Sequence, residues 1–158
     1  MRIGQGVDFH RLIPGEGITV GGVEIPCEFG VEAHSDGDVL IHALCDALLG
    51  AAALGDLGGH FPDSDERYRD VASTRLLNEV LRALQNAGTW KPVNVDSTVV
   101  LERPKLAEHI PAMRAHLAEA LGVGLDSVSV KATRTEGLGA LGRSEGIGAF
   151  CSVLIERG

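Results

Sequence analysis

The chain has 158 residues, 44% apolar and 23% charged, with a formal net charge of -8. A chain of this size suits one domain spanning 1–158 and buries roughly two-thirds of its unfolded surface. The acidic balance, with no Lys/Arg cluster, argues against a nucleic-acid partner, and the longest apolar stretch, Val39 to Leu54, contains His42 and Asp46 and falls short of the ~20 residues that span a bilayer.

Ile3 to Phe9 reads as a short strand, and Ile18 to Ile25, broken by Gly21-Gly22, as a small hairpin. A glycine-rich link then leads to a helix capped by Ser35 or Asp36 and running to about Ala53. Gly55 and Gly58-Gly59 stop that helix and begin a loop through Asp65. Ser73 is expected to cap a second helix, with Leu76, Leu77, Val80, Leu81 and Leu84 on one face and Gly88 just past its end. Val93 to Leu101 reads as a strand with Val95, Ser97, Val99 and Leu101 on one face. Ile110, Met113, Leu117 and Leu121 mark a third amphipathic helix closed by Gly122. Val128 to Thr135 and Ile147 to Ile155 read as further strands, joined by a loop from Gly137 to Gly146. The order predicts an α+β fold, a mixed four-stranded sheet with helices on one face plus the hairpin. An uncovered sheet face calls for a homo-oligomer.

Glycine is abundant at 21 residues against a usual ~7%, which suits tight turns and close backbone approaches. Cys27, Cys45 and Cys151 lack CxxC spacing and read as small buried residues in a reducing compartment. The opening Met1-Arg2-Ile3-Gly4 carries no signal or transit pattern, so a cytoplasmic protein with no membrane partner is expected.

Asp8 and His10, two apart at a strand end, share one face and can ligate a divalent metal. Taken alone, the pair also fits a solvated strand end. His42 sits in a very apolar helix with Asp38 and Asp46 at i-4 and i+4, so a carboxylate stands ready to orient its second ring nitrogen. One Asp and two His leave a position open for substrate. Ala33-His34-Ser35-Asp36-Gly37-Asp38 opens the same helix. A helix N-terminus suits phosphate, with His34 and Ser35 as donors, although an ordinary cap explains the segment equally. Asp56 to Gly58 with Phe61, Pro62, Asp63, Ser64 and Asp65 can accept from sugar hydroxyls or hold a magnesium ion, or form a solvated loop. Lys131 to Glu136 offers Thr133, Arg134 and Thr135 to phosphate and Glu136 to a hard metal ion, or is a polar strand end. The sequence has no Walker loop, GxSxG or Ser-His-Asp order, and Gly4-Gln5-Gly6 is not followed by the helix that a dinucleotide fingerprint needs.

These segments, together with His42-Ala43-Leu44-Cys45-Asp46-Ala47-Leu48, Gly55-Asp56-Leu57-Gly58, Arg103-Pro104-Lys105-Leu106, Lys131-Ala132-Thr133 and Gly142-Arg143-Ser144-Glu145-Gly146, resemble the 2-C-methyl-D-erythritol 2,4-cyclodiphosphate synthase family from end to end. The resemblance implies a homotrimer of the non-mevalonate isoprenoid pathway with active sites between subunits. Its reaction would turn 4-diphosphocytidyl-2-C-methyl-D-erythritol 2-phosphate into the cyclic diphosphate and CMP. It implies zinc on Asp8, His10 and His42, substrate contacts from Asp8, Phe9 and His10, and substrate phosphate on His34 and Ser35. Asp56, Leu57 and Gly58, with Phe61 to Asp65, would take the methylerythritol part. Leu101, Glu102, Arg103, Pro104, Lys105, Leu106, Ala107, Ala132 and Thr133 would form the cytidine pocket. Glu136 would hold magnesium or manganese, and Thr135, Ala140 and Arg143 would also touch substrate.

His34 and Arg134 stand at the positions of the family's two transition-state stabilisers, and Arg134 replaces the Thr of many members. Val7 and Ala140 stand where many members carry Phe, in an axial cavity that binds isoprenoid diphosphates in some of them. Two other readings fit the same ligands: a zinc phosphodiesterase or phosphatase, and a non-enzymatic metal- or nucleotide-binding module.

Overall fold

Two glycines decide how the first strand meets the first helix. In the computed structural model, which describes residues 1–62, 64, 68 and 71–158, strand β1 (Arg2–Pro14) turns Gly4 and Gly6 inward onto helix α1 (Val39–Ala52). A Cβ at Gly4 would lie 1.9 Å from the Ala47 carbonyl oxygen, and one at Gly6 would lie 2.0 Å from that of Ala43. Ala43, Ala47 and Ala51 repeat every fourth residue, so the helix shows the strand its smallest face. The two backbones therefore touch with no side chain between them, and the Gly-x-Gly pair has a packing role.

The strand's remaining inward positions are Asp8, His10 and the buried Leu12. β1 pairs antiparallel with β7 (Gly146–Arg157) over Arg2 to Arg11, and its far end pairs with β4 (Phe29–Glu32). β7 pairs antiparallel with β5 (Trp90–Val100), and β5 pairs parallel with β6 (Val128–Thr133). The sheet is mixed and runs β4-β1-β7-β5-β6, so it has five strands rather than four. The added strand, β4, has four residues, too few to show an alternation in the sequence.

The hairpin is β2 (Gly17–Val20) with β3 (Val23–Pro26), turning at Gly21 and Gly22 with φ of 59° and 76°. A two-residue turn with both φ positive suits glycine. The Gly21 and Gly22 N–H groups donate to the Asp38 carboxylate at 2.9 and 2.6 Å. His116, on helix α4 (Ile110–Leu121), holds the Gly21 carbonyl at 3.0 Å.

Asp38, fully buried, is the N-cap of α1 and accepts from Ile41 N–H at 3.0 Å. The cap is thus Asp38, not Ser35 or Asp36. Burial pushes its carboxyl up, against the pull of these three N–H donors. Asp38 is fully occupied as a cap and latch, so it does not orient His42.

α1 is buried almost all round, as a helix with apolar residues on every side must be. It packs on β1 and β7, with α3 (Ser73–Gly88) against its outer side and α4 against β6. Ser73 is the first residue of α3 rather than its cap; Ala72 holds the cap position without a side-chain bond. Thr89, in the left-handed region, closes α3 instead of Gly88, whereas Gly122 closes α4 as expected. The expected loops contain two single-turn helices, α2 (Leu57–His60) and α5 (Gly139–Gly142), each too short to carry a period.

The helices cover one sheet face, as expected. The other exposes Ile3 (78%), Phe9 (52%), Val7 (40%) and Phe150 (40%), with the two phenyl rings edge to face at 5.8 Å. Cys45 and Cys151 are buried, and burial pushes the Cys151 thiol up to about 12.

Replacing Gly6 with Ala forces a methyl into the α1 backbone. Gly6→Ala is expected to lower the unfolding free energy by roughly 3 kcal/mol or more, the upper end of an overpacking cost. Gly50→Ala, where a Cβ would meet nothing nearer than Gln5 O at 3.9 Å, is the control and should gain up to about 1 kcal/mol. Urea unfolding of both variants checks the pair.

Candidate functional site

The close approach of β1 to α1 places Asp8 and His10 against His42. His10 Nε2 lies 2.8 Å from Asp8 Oδ2 and 3.0 Å from His42 Nδ1. His42 Nδ1 lies 3.2 Å from the same carboxylate oxygen. Burial pushes the Asp8 carboxyl up, but the hydrogen bonds and charges of His10 and His42 outweigh it and hold the group well below the usual carboxylate range. Three atoms able to ligate a metal thus converge on one point. Ligands about 2.0–2.2 Å from one tetrahedral cation stand about 3.3 Å apart, so the donor set and its spacing fit a divalent metal of the zinc type with a position left open.

The triad opens into a cavity of about 370 Å³ whose walls include His34, Ser35, Asp46, Leu57, Gly58, Phe61, Tyr68 and Leu76. His34 Nε2 is buried with no hydrogen-bond partner among the described residues. A ring nitrogen buried without a partner costs free energy that a ligand would recover. Ser35 Oγ accepts from Gly37 N–H at 3.2 Å and lies 3.1 Å from His42 Nε2. His34 and Ser35 are in the loop before α1, and the Asp38 carboxylate already caps that helix.

Asp46 does not orient His42 either. Its carboxylate accepts from Leu57 N–H at 2.7 Å and fixes the start of α2, and burial pushes it up. Two hydroxyls face His42 Nε2, Ser73 Oγ at 2.9 Å and Ser35 Oγ at 3.1 Å. The sequence signal for Ser73 reads equally as an ordinary helix start.

A second cavity, also about 370 Å³, is lined by Leu101, Pro104, Lys105, Leu106, Ala107, Ile110, Ala132, Thr133, Arg134 and Glu136. Most of the expected nucleotide-pocket residues meet here, and Ile110 joins them. Glu102 Oε2 is buried without a partner among the described residues. Glu136 is not free: Arg134 pairs with it at 3.3 Å from both carboxylate oxygens.

Several expected residues lie outside both linings. Phe9 points to the opposite sheet face against Phe150. Asp56 caps α2 through Gly59 N–H at 2.8 Å. Pro62 and Ser64 are exposed, and Asp63 and Asp65 lie outside the described residues. Arg103 pairs with Glu28 at 2.7 Å, Thr135 donates to the Leu138 carbonyl at 2.8 Å, Ala140 is on α5, and Arg143 pairs with Glu145 at 2.6 Å.

Phe9, Gly148, Val100 and Thr133 form one row across four strands. Both cavities therefore sit at the same end of the sheet, with β1 and β6 roughly 14 Å apart at about 4.8 Å per strand.

Residues 1–156 match the YgbB family. A 2-C-methyl-D-erythritol 2,4-cyclodiphosphate synthase from Syntrophomonas wolfei is 58% identical over 157 residues, 99% of each chain. Its namesake in Azotobacter vinelandii is 56% identical over 155 residues, 98% of each. A solved 2C-methyl-D-erythritol-2,4-cyclodiphosphate synthase in its CDP-bound form superposes with a TM-score of 0.90 at 37% identity, covering 98% of this chain and 100% of that one. The bifunctional IspDF of Campylobacter jejuni gives 0.94 at 38% identity, covering 99% of this chain and 42% of that longer protein.

Loss of one of three ligands should cripple metal retention. His42→Ala is expected to weaken zinc binding at least roughly 100-fold, beyond what loss of an outer partner does, while leaving the circular dichroism spectrum unchanged. Competition against a chromogenic chelator reads the affinity.

Proposed function

Because the chain belongs to the YgbB family, we propose that it carries out the reaction its relatives are named for. That reaction closes 4-diphosphocytidyl-2-C-methyl-D-erythritol 2-phosphate into 2-C-methyl-D-erythritol 2,4-cyclodiphosphate with release of CMP, a step toward isoprenoid precursors. The observation that carries this reading is the Asp8, His10 and His42 cluster beside a His34 ring nitrogen that is buried without a partner among the described residues.

The substrate's own 2-phosphate oxygen is the nucleophile. A bond forms from it to the β-phosphorus, the bond from that phosphorus to the bridging oxygen breaks, and CMP leaves with the electron pair. The protein therefore needs no covalent nucleophile of its own. Its task is to fold a flexible chain into in-line geometry and to offset crowded negative charge. His34 and Ser35 donate to phosphate oxygens, and Arg134 adds a cation where charge builds up. Leu57, Gly58 and Phe61 close over the methylerythritol part. Leu101 to Ala107, with Ala132 and Thr133, hold cytidine. Asp8, His10 and His42 would hold zinc, and Glu136, on giving up its pairing with Arg134, would hold magnesium or manganese; such ions would supply Lewis-acid charge to the diphosphate.

The exposed Ile3, Val7, Phe9 and Phe150 support a homotrimer assembled on the open sheet face. Such packing would set the nucleotide cavity of one subunit against the metal cavity of the next.

Phosphorus NMR with the cytidylated substrate, zinc and magnesium tests the reaction. Equal amounts of cyclic diphosphate and CMP are expected. Linear hydrolysis products would instead mark a phosphodiesterase, and no turnover would leave a binding module. His42→Ala should lower turnover by at least roughly 10²- to 10³-fold, the loss typical of removing one preorganised electrostatic contact. Light scattering should report three 16.6 kDa chains per particle, and Phe9→Asp should dissociate them while each chain keeps its zinc.

A further inference from the structure

Ser73 is fully buried, and its hydroxyl has one hydrogen to give. Asp36 determines where that hydrogen goes. Its Oδ2 accepts the Ser73 backbone N–H at 2.9 Å, its Oδ1 accepts Asp38 N–H at 3.2 Å, and Oδ1 also takes the Ser73 hydroxyl in a short hydrogen bond. An ionised carboxylate only accepts, so Ser73 presents a lone pair to its other neighbour. That neighbour is His42 Nε2 at 2.9 Å, which must then carry the ring hydrogen. Ser35 Oγ, 3.1 Å from the same nitrogen, can share it. A neutral imidazole protonated at Nε2 offers its lone pair at Nδ1, the atom 3.0 Å from His10 Nε2 and 3.2 Å from the Asp8 carboxylate; that carboxylate by itself would draw the hydrogen to Nδ1, and Ser73 opposes the pull.

We infer that Ser73, held by Asp36, is a positioning residue that fixes the tautomer of His42 and so prepares Nδ1 to bind metal. The inference deepens the proposed metal site and rests on it. Metal-ligating histidines usually donate their second N–H directly to a carboxylate, a backbone carbonyl or water. Here the carboxylate acts through a hydroxyl, because Asp38 and Asp46, the acids on the same helix face, are engaged elsewhere. The relay also couples α3 to the centre: Ser73 is that helix's first residue, so a shift of the helix start would release the imidazole. Since Ser35 accepts from both Gly37 N–H and His42, its own hydroxyl hydrogen points elsewhere and is free for a substrate phosphate.

The test begins with metal-free, full-length wild-type protein labelled with nitrogen-15 histidine, at a pH well above the imidazole range. Long-range proton–nitrogen spectra should show His42 protonated at Nε2. Protonation at Nδ1 overturns the inference. Ser73→Ala is then compared with Ser73→Thr, which keeps the hydroxyl. Ser73→Ala should weaken zinc binding roughly 10- to 100-fold, with the Nδ1–H form appearing in the metal-free spectrum, and Ser73→Thr should stay near wild type. Cobalt substitution should shift the visible spectrum in Ser73→Ala and leave it in place in Ser73→Thr. Unchanged affinity and tautomer in a folded Ser73→Ala also overturn the inference. Should that variant misfold, the wild-type spectrum alone decides. Should wild type bind no zinc, the metal reading fails, while the tautomer of the metal-free chain still decides the role of Ser73.

Discussion

The contact on which everything else depends is bare backbone against backbone: Gly4 and Gly6 of β1 on the alanine ridge of α1. A single methyl at either glycine would overlap a helix carbonyl at about 2 Å. Protein interiors are packed too tightly to absorb such an overlap without moving an element. The outcome reaches past packing. Two and four residues beyond Gly6 the same inward face presents Asp8 and His10, and the short interaxial distance lets them reach His42. With ordinary core side chains in the seam, the strand would stand off the helix and the three ligand atoms would be parted. Site geometry and core packing are here one constraint.

Three acids in α1 and the short run before it divide the remaining work by where their backbones put them. Asp38, fully buried, caps α1 and grips the hairpin. Asp36 caps nothing on α1; it reaches across to the start of α3 and orients Ser73. Asp46, two turns along the helix, pins α2 against the cavity. A sequence shows three similar carboxylates near one histidine, and only tertiary geometry separates their tasks.

Much of the site was legible beforehand because its signals are local. The Asp8-x-His10 alternation and the lone histidine in an apolar helix both survive as read, and Leu101 and Pro104 to Ala107 line one cavity with Ala132 to Arg134. The failures share a cause. β4, α2 and α5 have four residues each, shorter than the window in which a period can be recognised. The tasks assigned to Asp38, Asp46 and Ser73 depended on which partner stood nearest in space, and spacing along the chain carries no such information. Gly4-Gln5-Gly6 was legible as glycine but not as contact, since its reason lies some forty residues away on α1.

The hairpin turn ties together parts of the chain that a surface loop would normally leave independent. Gly21 and Gly22 donate to the N-cap of α1, and the Gly21 carbonyl is held from α4. A hairpin tip is usually the first place to open and exchange its amide hydrogens. This one cannot open without stripping the buried Asp38 carboxylate of two of its N–H donors and breaking the bond to His116. Its two glycine amides should therefore exchange with the slow core rather than with the rim, so that β2–β3, though outside the main sheet, belongs to the cooperative unit that unfolds last.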